Sequence, residues 1–215
     1  WNRLGLTIVL AVFSLLISWL IAIPVGVYIA THQYSWLDYI MSTFSFLGVG
    51  VPAFLWALII MYFAQSQLGL NVGGLFSEKF LVAPWSWDKV VDMLQHIWIP
   101  ALIVALVHTA GELRTTRANL LDEINKPYVE LARAKGLSEA RLIWKYPVRV
   151  ALNPFFSTVG WSLANRISDI TLMSVVLSLD TTGPMQLRAL VSQDMYLAGS
   201  FLVLLSVLVV IGTLM

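Results

Sequence analysis

Residues 4–31 form a run that is apolar apart from serine and threonine, and few folds can use such a stretch. A helix needs roughly 20 predominantly apolar residues to cross a bilayer. Comparable runs follow at residues 39–63, 97–113 and 152–177, and a fifth starts near Leu197. Charge is correspondingly scarce. The chain is 59% hydrophobic and 12% charged, with a mean hydropathy of +0.81, whereas a soluble domain is about a quarter charged. The expected fold class is all-α: a polytopic membrane helical bundle of about five spans.

Within the runs, a few positions depart from plain hydrophobicity. Pro24 is expected to kink the first span, with neighbouring helices satisfying the freed carbonyl. Residues 48–52, GVGVP, allow close helix approach or a local break. Residues 65–95 are mixed in character and carry Trp85 and Trp87, as suits a loop lying along the bilayer surface. His96 sits at the mouth of the third run and His108 within it, with Glu112 near its far end. The fourth run is the most polar, with Asn165, Arg166 and Asp169 near its middle. Arg166 and Asp169 are three residues apart and so neighbours on one helix face. Charges at membrane depth usually pair or face the bundle interior. Residues 178–196 read as a loop, with Asp180, Gly183 and Pro184 as turn formers.

Absence also constrains the chain. There is no cysteine, which excludes disulfides, thiolate metal sites and cysteine nucleophiles. No metal site, catalytic residue or nucleic-acid surface is expected, and the formal charge is only +1. No basic n-region or small-residue cleavage site precedes the first run, so that run reads as a span and not a signal peptide. The chain begins at Trp1, not Met, and residues 201–215 are shorter than the roughly 20 residues of a span. Truncation at both ends is expected.

Orientation follows from the basic residues. Of the 13 Lys and Arg, Arg114, Arg117, Lys126, Arg133, Lys135, Arg141, Lys145 and Arg149 cluster in one inter-span segment. The positive-inside rule places that segment in the cytoplasm. Alternation then puts Trp1, residues 65–95 and residues 178–196 outside, and the turn at residues 31–38 inside.

The central polar insert, residues 125–154, is more structured than a loop needs. Asn125 or Lys126 can cap a helix with Pro127 in its first turn. Tyr128, Leu131 and Ala132 would form its apolar face, leaving Glu130 and Arg133 on the others. Gly136 ends that helix. Ser138 reads as the next N-cap, with Glu139 at the positive end of the dipole. In the second helix Leu142, Ile143 and Tyr146 share one face, Arg141 and Lys145 another, and Pro147 ends it. Three uses fit these residues: an interfacial helix on anionic lipid, a solvated loop, or a docking element for a cytoplasmic partner.

Glu130-Leu131-Ala132, followed by Gly136, resembles the EAA loop of permease subunits of ATP-binding-cassette importers, with Leu131 in place of the first alanine. The string ARAKGLSEARLIW, residues 132–144, is similar to the version in the oligopeptide, dipeptide and nickel branch. So are LRTTR at 113–117, RVALNP at 149–154, IPVGV at 23–27 and SWLDYIMS at 35–42. The resemblance covers nearly the whole chain. It implies a multi-pass permease of the inner (cytoplasmic) membrane, residues 1–215 forming one transmembrane domain and residues 125–154 its cytoplasmic coupling loop. It also implies a second permease subunit, commonly a different one, cytoplasmic ATPase subunits that bind the ATP, and an external solute-binding protein. Glu130, Ala132 and Gly136 match the motif; Leu137, Ser138, Glu139, Arg141, Leu142, Ile143 and Tyr146 fall in the helix that family members insert into an ATPase groove.

Two departures stand out. YPVR at residues 146–149 replaces the general I-x-L-P ending, and the fourth span carries Asn165, Arg166 and Asp169 where the branch often has a Gly-rich segment, with Ser174 near the place of its glutamate and Asp180-Thr181-Thr182-Gly183 in place of its PGLG-like turn. The polar trio would serve a different solute, the translocation pathway or a subunit interface. No G-x-x-x-x-G-K-[ST] pattern occurs, so the chain itself is not expected to hydrolyse ATP. A secondary transporter with Arg166, Asp169, Glu112 and His108 as an ion relay is the alternative; an intramembrane hydrolase has no G-x-S-x-G or paired carboxylates to support it. The solute is not legible.

Overall fold

The computed structural model describes residues 2–69 and 73–214; the expectations that rest on Trp1, residues 70–72 and Met215 lie outside the described residues. The described residues form helices and no strand. In order these are α1 (Asn2–Thr31), α2 (Trp36–Gly50), α3 (Ala53–Leu68), α4 (Trp87–Ile124), α5 (Pro127–Ala134), α6 (Glu139–Lys145), α7 (Pro147–Ala151), α8 (Asn153–Ser157), α9 (Val159–Val176), α10 (Thr182–Val191) and α11 (Met195–Leu214). Among the described residues, α1 and α4 are each long and apolar enough to cross a membrane, and α2 with α3 make a third if that broken pair is one span.

Several boundaries differ from the hydropathy pattern. α1 runs unbroken through Pro24. The second run is broken at Val51–Pro52, since proline cannot donate to the preceding turn. α4 extends past both ends of its apolar stretch, from Trp87 to Ile124. Backbone hydrogen bonding continues where hydropathy stops, so polar side chains do not end a helix. The fourth run is broken: Pro154 opens a five-residue piece, α8, before α9 begins, and Pro147 opens another, α7, just ahead of the run. Residues 178–196 are not a plain loop. They hold α10, with Pro184 in its first turn, where a missing N–H is harmless.

The chain divides into two compact units. One comprises residues 1–17, 51–107 and 160–215. Its core joins Leu6 and Leu10 of α1, Ala57 of α3, Ile97 and Ile103 of α4, and Ile170 and Met173 of α9. The Thr182 N–H donates to Thr7 Oγ1 at 3.2 Å, and a Cβ on Gly183 would collide with the Thr171 carbonyl and Ser174 Oγ. α10 is therefore pressed onto α9. Residues 73–86 fold beside the start of α4: Lys89 Nζ donates to the Ala83 carbonyl at 2.7 Å, over the rings of Phe76 and Trp85, and Ser77 donates to Asp92 from both backbone and hydroxyl.

The other unit comprises residues 18–50 and 108–159 and contains the insert. α4 is its mast. Gly26 of α1 meets Thr116 so closely that an added Cβ would lie 2.6 Å from the Thr116 Cβ. Gly48 of α2 meets Ala110 just as tightly. Small residues let helices approach in this way. At the start of α2, Asp38 is buried and receives the Arg117 guanidinium, the Tyr34 N–H and the Ser42 hydroxyl.

Candidate functional site

α4 hands over to the insert through Glu123. Lys126 Nζ reaches one carboxylate oxygen of Glu123 at 2.5 Å and the Tyr128 hydroxyl donates to the other at 2.7 Å. The turn is closed by Lys126 N–H donating to the Glu123 carbonyl at 3.2 Å. Lys126 then holds the cap position of α5 with extended backbone and no side-chain cap, and Pro127 opens the helix. Burial, followed by the bond to Glu123, pushes the Tyr128 hydroxyl pKa up to about 12.

The buried side of α5 is not the expected one. Val129 and Ala132 are buried, while Leu131 is 59% exposed and Tyr128 37% exposed. The helix is only eight residues long, and its rotation is set by what it packs on. Val129 and Ala132 close over Leu142 of α6, which is fully buried, with Leu137, Ile143 and Tyr146 around them.

Gly136 turns the corner with φ +81° and nothing within 4 Å of where a Cβ would stand, so conformation and not space asks for glycine there. Its N–H donates to the Arg133 carbonyl at 3.0 Å. Arg133 is exposed but paired. It bridges the corner, donating from Nε and Nη2 to the two Glu139 oxygens at 2.6 and 3.3 Å. Each holds the other ionised: the Glu139 carboxyl lies below its usual range and the Arg133 guanidinium above. Ser138 occupies the N-cap with extended backbone, but its side chain makes no capping bond; its carbonyl accepts the Leu142 N–H at 2.8 Å.

The face of α6 expected to dock is turned into the insert. Leu142 is inside the insert, and Ile143 and Tyr146 are half-buried with it. The outward face carries Ala140, Arg141, Trp144 and Lys145, all exposed, with Trp144 at 50%. Hydrophobic periodicity separates Leu142, Ile143 and Tyr146 from Arg141 and Lys145, but it does not say whether that apolar face meets its own chain or a partner. Glu130 is exposed on α5.

Ile143 has a second set of neighbours. It packs on the cluster of Val27 and Ala30 from α1, Leu120 from α4 and Val148 and Ala151 from α7. Asn119 Nδ2 donates to the Ala151 carbonyl at 3.2 Å. Trp19 stands edge-on to Phe155 and Phe156 of α8. The insert is thus rooted in α1 and α4 at its exit. Neither Asn119 nor the Asp38–Arg117 pair was signalled by any local pattern.

The polar trio lies elsewhere, on α9 in the other unit. Arg166 is fully buried, one turn from Ile170, while Asn165 and Asp169 are half-buried. His108 and Glu112 are half-buried on α4.

Comparison with known proteins follows the same lines. A profile described as binding-protein-dependent transport system inner membrane component matches residues 22–215. The oligopeptide transport system permease protein AppB of Bacillus subtilis is 30% identical over 215 residues, covering 99% of this chain and 66% of that protein. The inner membrane ABC transporter permease protein YejB of Escherichia coli is 35% identical over 200 residues, covering 90% and 54%. The dipeptide transport system permease protein DppB of Haemophilus influenzae is 28% identical over 216 residues, covering 94% and 65%. The chain therefore spans between 54% and 66% of the length of these relatives. The match runs from α1 through the insert corner to α11, and on it the chain belongs to the family of binding-protein-dependent transport system inner membrane components.

Proposed function

We propose that residues 1–215 are the transmembrane domain of a permease subunit in an ATP-binding-cassette importer, and that residues 125–154 are its coupling loop. The observation that carries this is the stapled corner rooted in α1 and α4. Val129 and Ala132 packed on Leu142 hold α5 and α6 together around Gly136, with the exposed Arg133–Glu139 pair across the corner, and Ile143 joins them to the α1–α4–α7 cluster. Force applied to α6 has a packed route into the helix stems, because close-packed side chains transmit displacement with little compression. From α4 the route continues to α2 through Arg117 and Asp38.

In this reading a cytoplasmic ATPase subunit binds the ATP and receives α6. Glu130, Ala132 and Gly136 shape the corner; Leu137, Ser138, Glu139, Leu142, Ile143 and Tyr146 hold α6 in register; Arg141 faces the partner. A second, related permease subunit completes the pathway, and an external solute-binding protein supplies the solute. The names of the relatives support peptides as the cargo. Asn165, Arg166 and Asp169 contribute to the pathway or the subunit interface, with Arg166 and Asp169 as an intramembrane pair.

The test is reconstitution of the full complex in vesicles. Peptide uptake is expected only with the ATPase subunits and ATP present. Uptake that continues at the same rate without any ATPase overturns the proposal and favours a secondary transporter.

A further inference from the structure

The outward face of α6 is unlike the rest of the insert's surface. A helix of seven residues has turned its aliphatic side into its own chain, where Leu142 is fully buried, and has left an indole half-exposed on the opposite side. Trp144 is three residues from Arg141 and four from Ala140, so the three share one helix face. Lys145 borders it, its ammonium 5.4 Å from the Tyr146 ring centroid. Glu139 is the one acid in α6, and Arg133 neutralises it. The exposed face therefore presents one large aromatic beside two cations, and the exposed carboxylate of Glu139 is already paired with Arg133. Aromatic side chains flanked in this way are typical anchors of protein interfaces.

We infer that the ATPase groove receiving α6 is acidic and is built around an apolar pocket that takes the Trp144 indole. The inference rests on the proposed function and narrows it to the chemistry of the partner surface. Two facts favour a protein groove over the bilayer. An interfacial helix buries a whole apolar face in lipid, whereas the aliphatic face of α6 is spent on Val129 and Ala132. Only Trp144 is left to insert. A single indole with two cations suits a pocket that is complementary in both shape and charge.

Residues 1–215 hold no cysteine, so Ala140→Cys places a single thiol among them on this face, and any cysteine elsewhere in the complex is replaced by serine. In the complete permease, reconstituted in phosphatidylcholine vesicles with or without phosphatidylglycerol, labelling at residue 140 should be fast in both lipids. Adding the ATPase subunit should slow it about ten-fold or more. Trp144→Ala should weaken ATPase binding about ten-fold or more at every salt concentration. Arg141→Glu with Lys145→Glu should weaken it comparably at low salt, with the difference shrinking as salt screens the charges. The milder Arg141→Gln with Lys145→Gln should lie between this pair and wild type, and serves if the reversed pair does not fold. Shielding by anionic vesicles before any ATPase is added would overturn the inference in favour of lipid. Shielding by the ATPase while Trp144→Ala and the charge variants bind as wild type would overturn it and leave the proposed function standing. An ATPase that neither binds nor shields residue 140 in any buffer would overturn the proposed function itself.

Discussion

Arg117 grips Asp38 with both arms: Nε meets Oδ1 at 2.7 Å and Nη2 meets Oδ2 at 2.8 Å, across 79 residues of sequence. The pair ties the start of α2 to α4 one residue beyond the point where Thr116 meets Gly26 of α1. Its carboxylate is 4% exposed and its guanidinium 28%. Removing one partner strands the other, and stranded buried charges cost about 3–5 kcal/mol, with the exposed part of Arg117 holding this site to the lower figure.

Arg117→Ala and Asp38→Ala should each lower the thermal stability of the purified membrane protein markedly. The double variant should lose less than the sum of the two. Thermal melts in detergent, followed by tryptophan fluorescence, provide the double-mutant cycle; strictly additive losses would show that the pair is not coupled.

Gly136 makes a different kind of demand. With φ +81° and open space around it, the penalty for a side chain comes from the backbone alone. Asn tolerates this region best among the larger residues, and β-branched residues worst. Gly136→Asn should therefore retain more ATPase binding and uptake than Gly136→Ala, and Gly136→Val should retain least. An order set by side-chain size alone would point to steric exclusion by a partner instead.

Leu142 is the single buried anchor of α6. Leu142→Ala should cost about 2–5 kcal/mol of local stability. Hydrogen exchange is the direct measurement: amides of α5 and α6 should exchange faster together, while those of α9 hold their protection. Unchanged protection in α6 would mean that Arg133 and Glu139 hold the corner without the core.

Tyr128 supplies a pH marker. Its folded pKa is raised from 10.0 to about 12 by burial and by the Glu123 bond. A raised phenol pKa contributes stability that is complete below the unfolded value and is lost as pH rises through the folded one. The phenol bond should persist at pH 10 and fail near pH 12, visible as a late phenolate absorbance step that disappears in Tyr128→Phe. If the component lost in Tyr128→Phe instead titrates near pH 10, the hydroxyl is solvated.

Arg166 and Asp169 test the proposal for α9. If they pair, neutralising either one should harm assembly or transport more than neutralising both. A double-mutant cycle with additive losses would dismiss the pairing.

Much of this protein was written along the chain. Apolar runs too long for an aqueous core announced a membrane helical protein, because only a helix satisfies its own backbone in lipid. Pro127, Gly136 and Pro147 punctuated the insert, since each restricts or frees a backbone angle locally. The string from Glu130 to Trp144 carried the family likeness. Tertiary packing decided the rest. It folded α10 out of an expected loop, and joined Asp38 to Arg117 across a distance no local pattern spans. Above all it decided which side of α6 faces inward. The pattern of α6 separates an apolar face from a cationic one but not an inner contact from a docking contact; the cover of Val129 and Ala132 over Leu142 spends the apolar face inside and leaves Trp144, Arg141 and Lys145 outward.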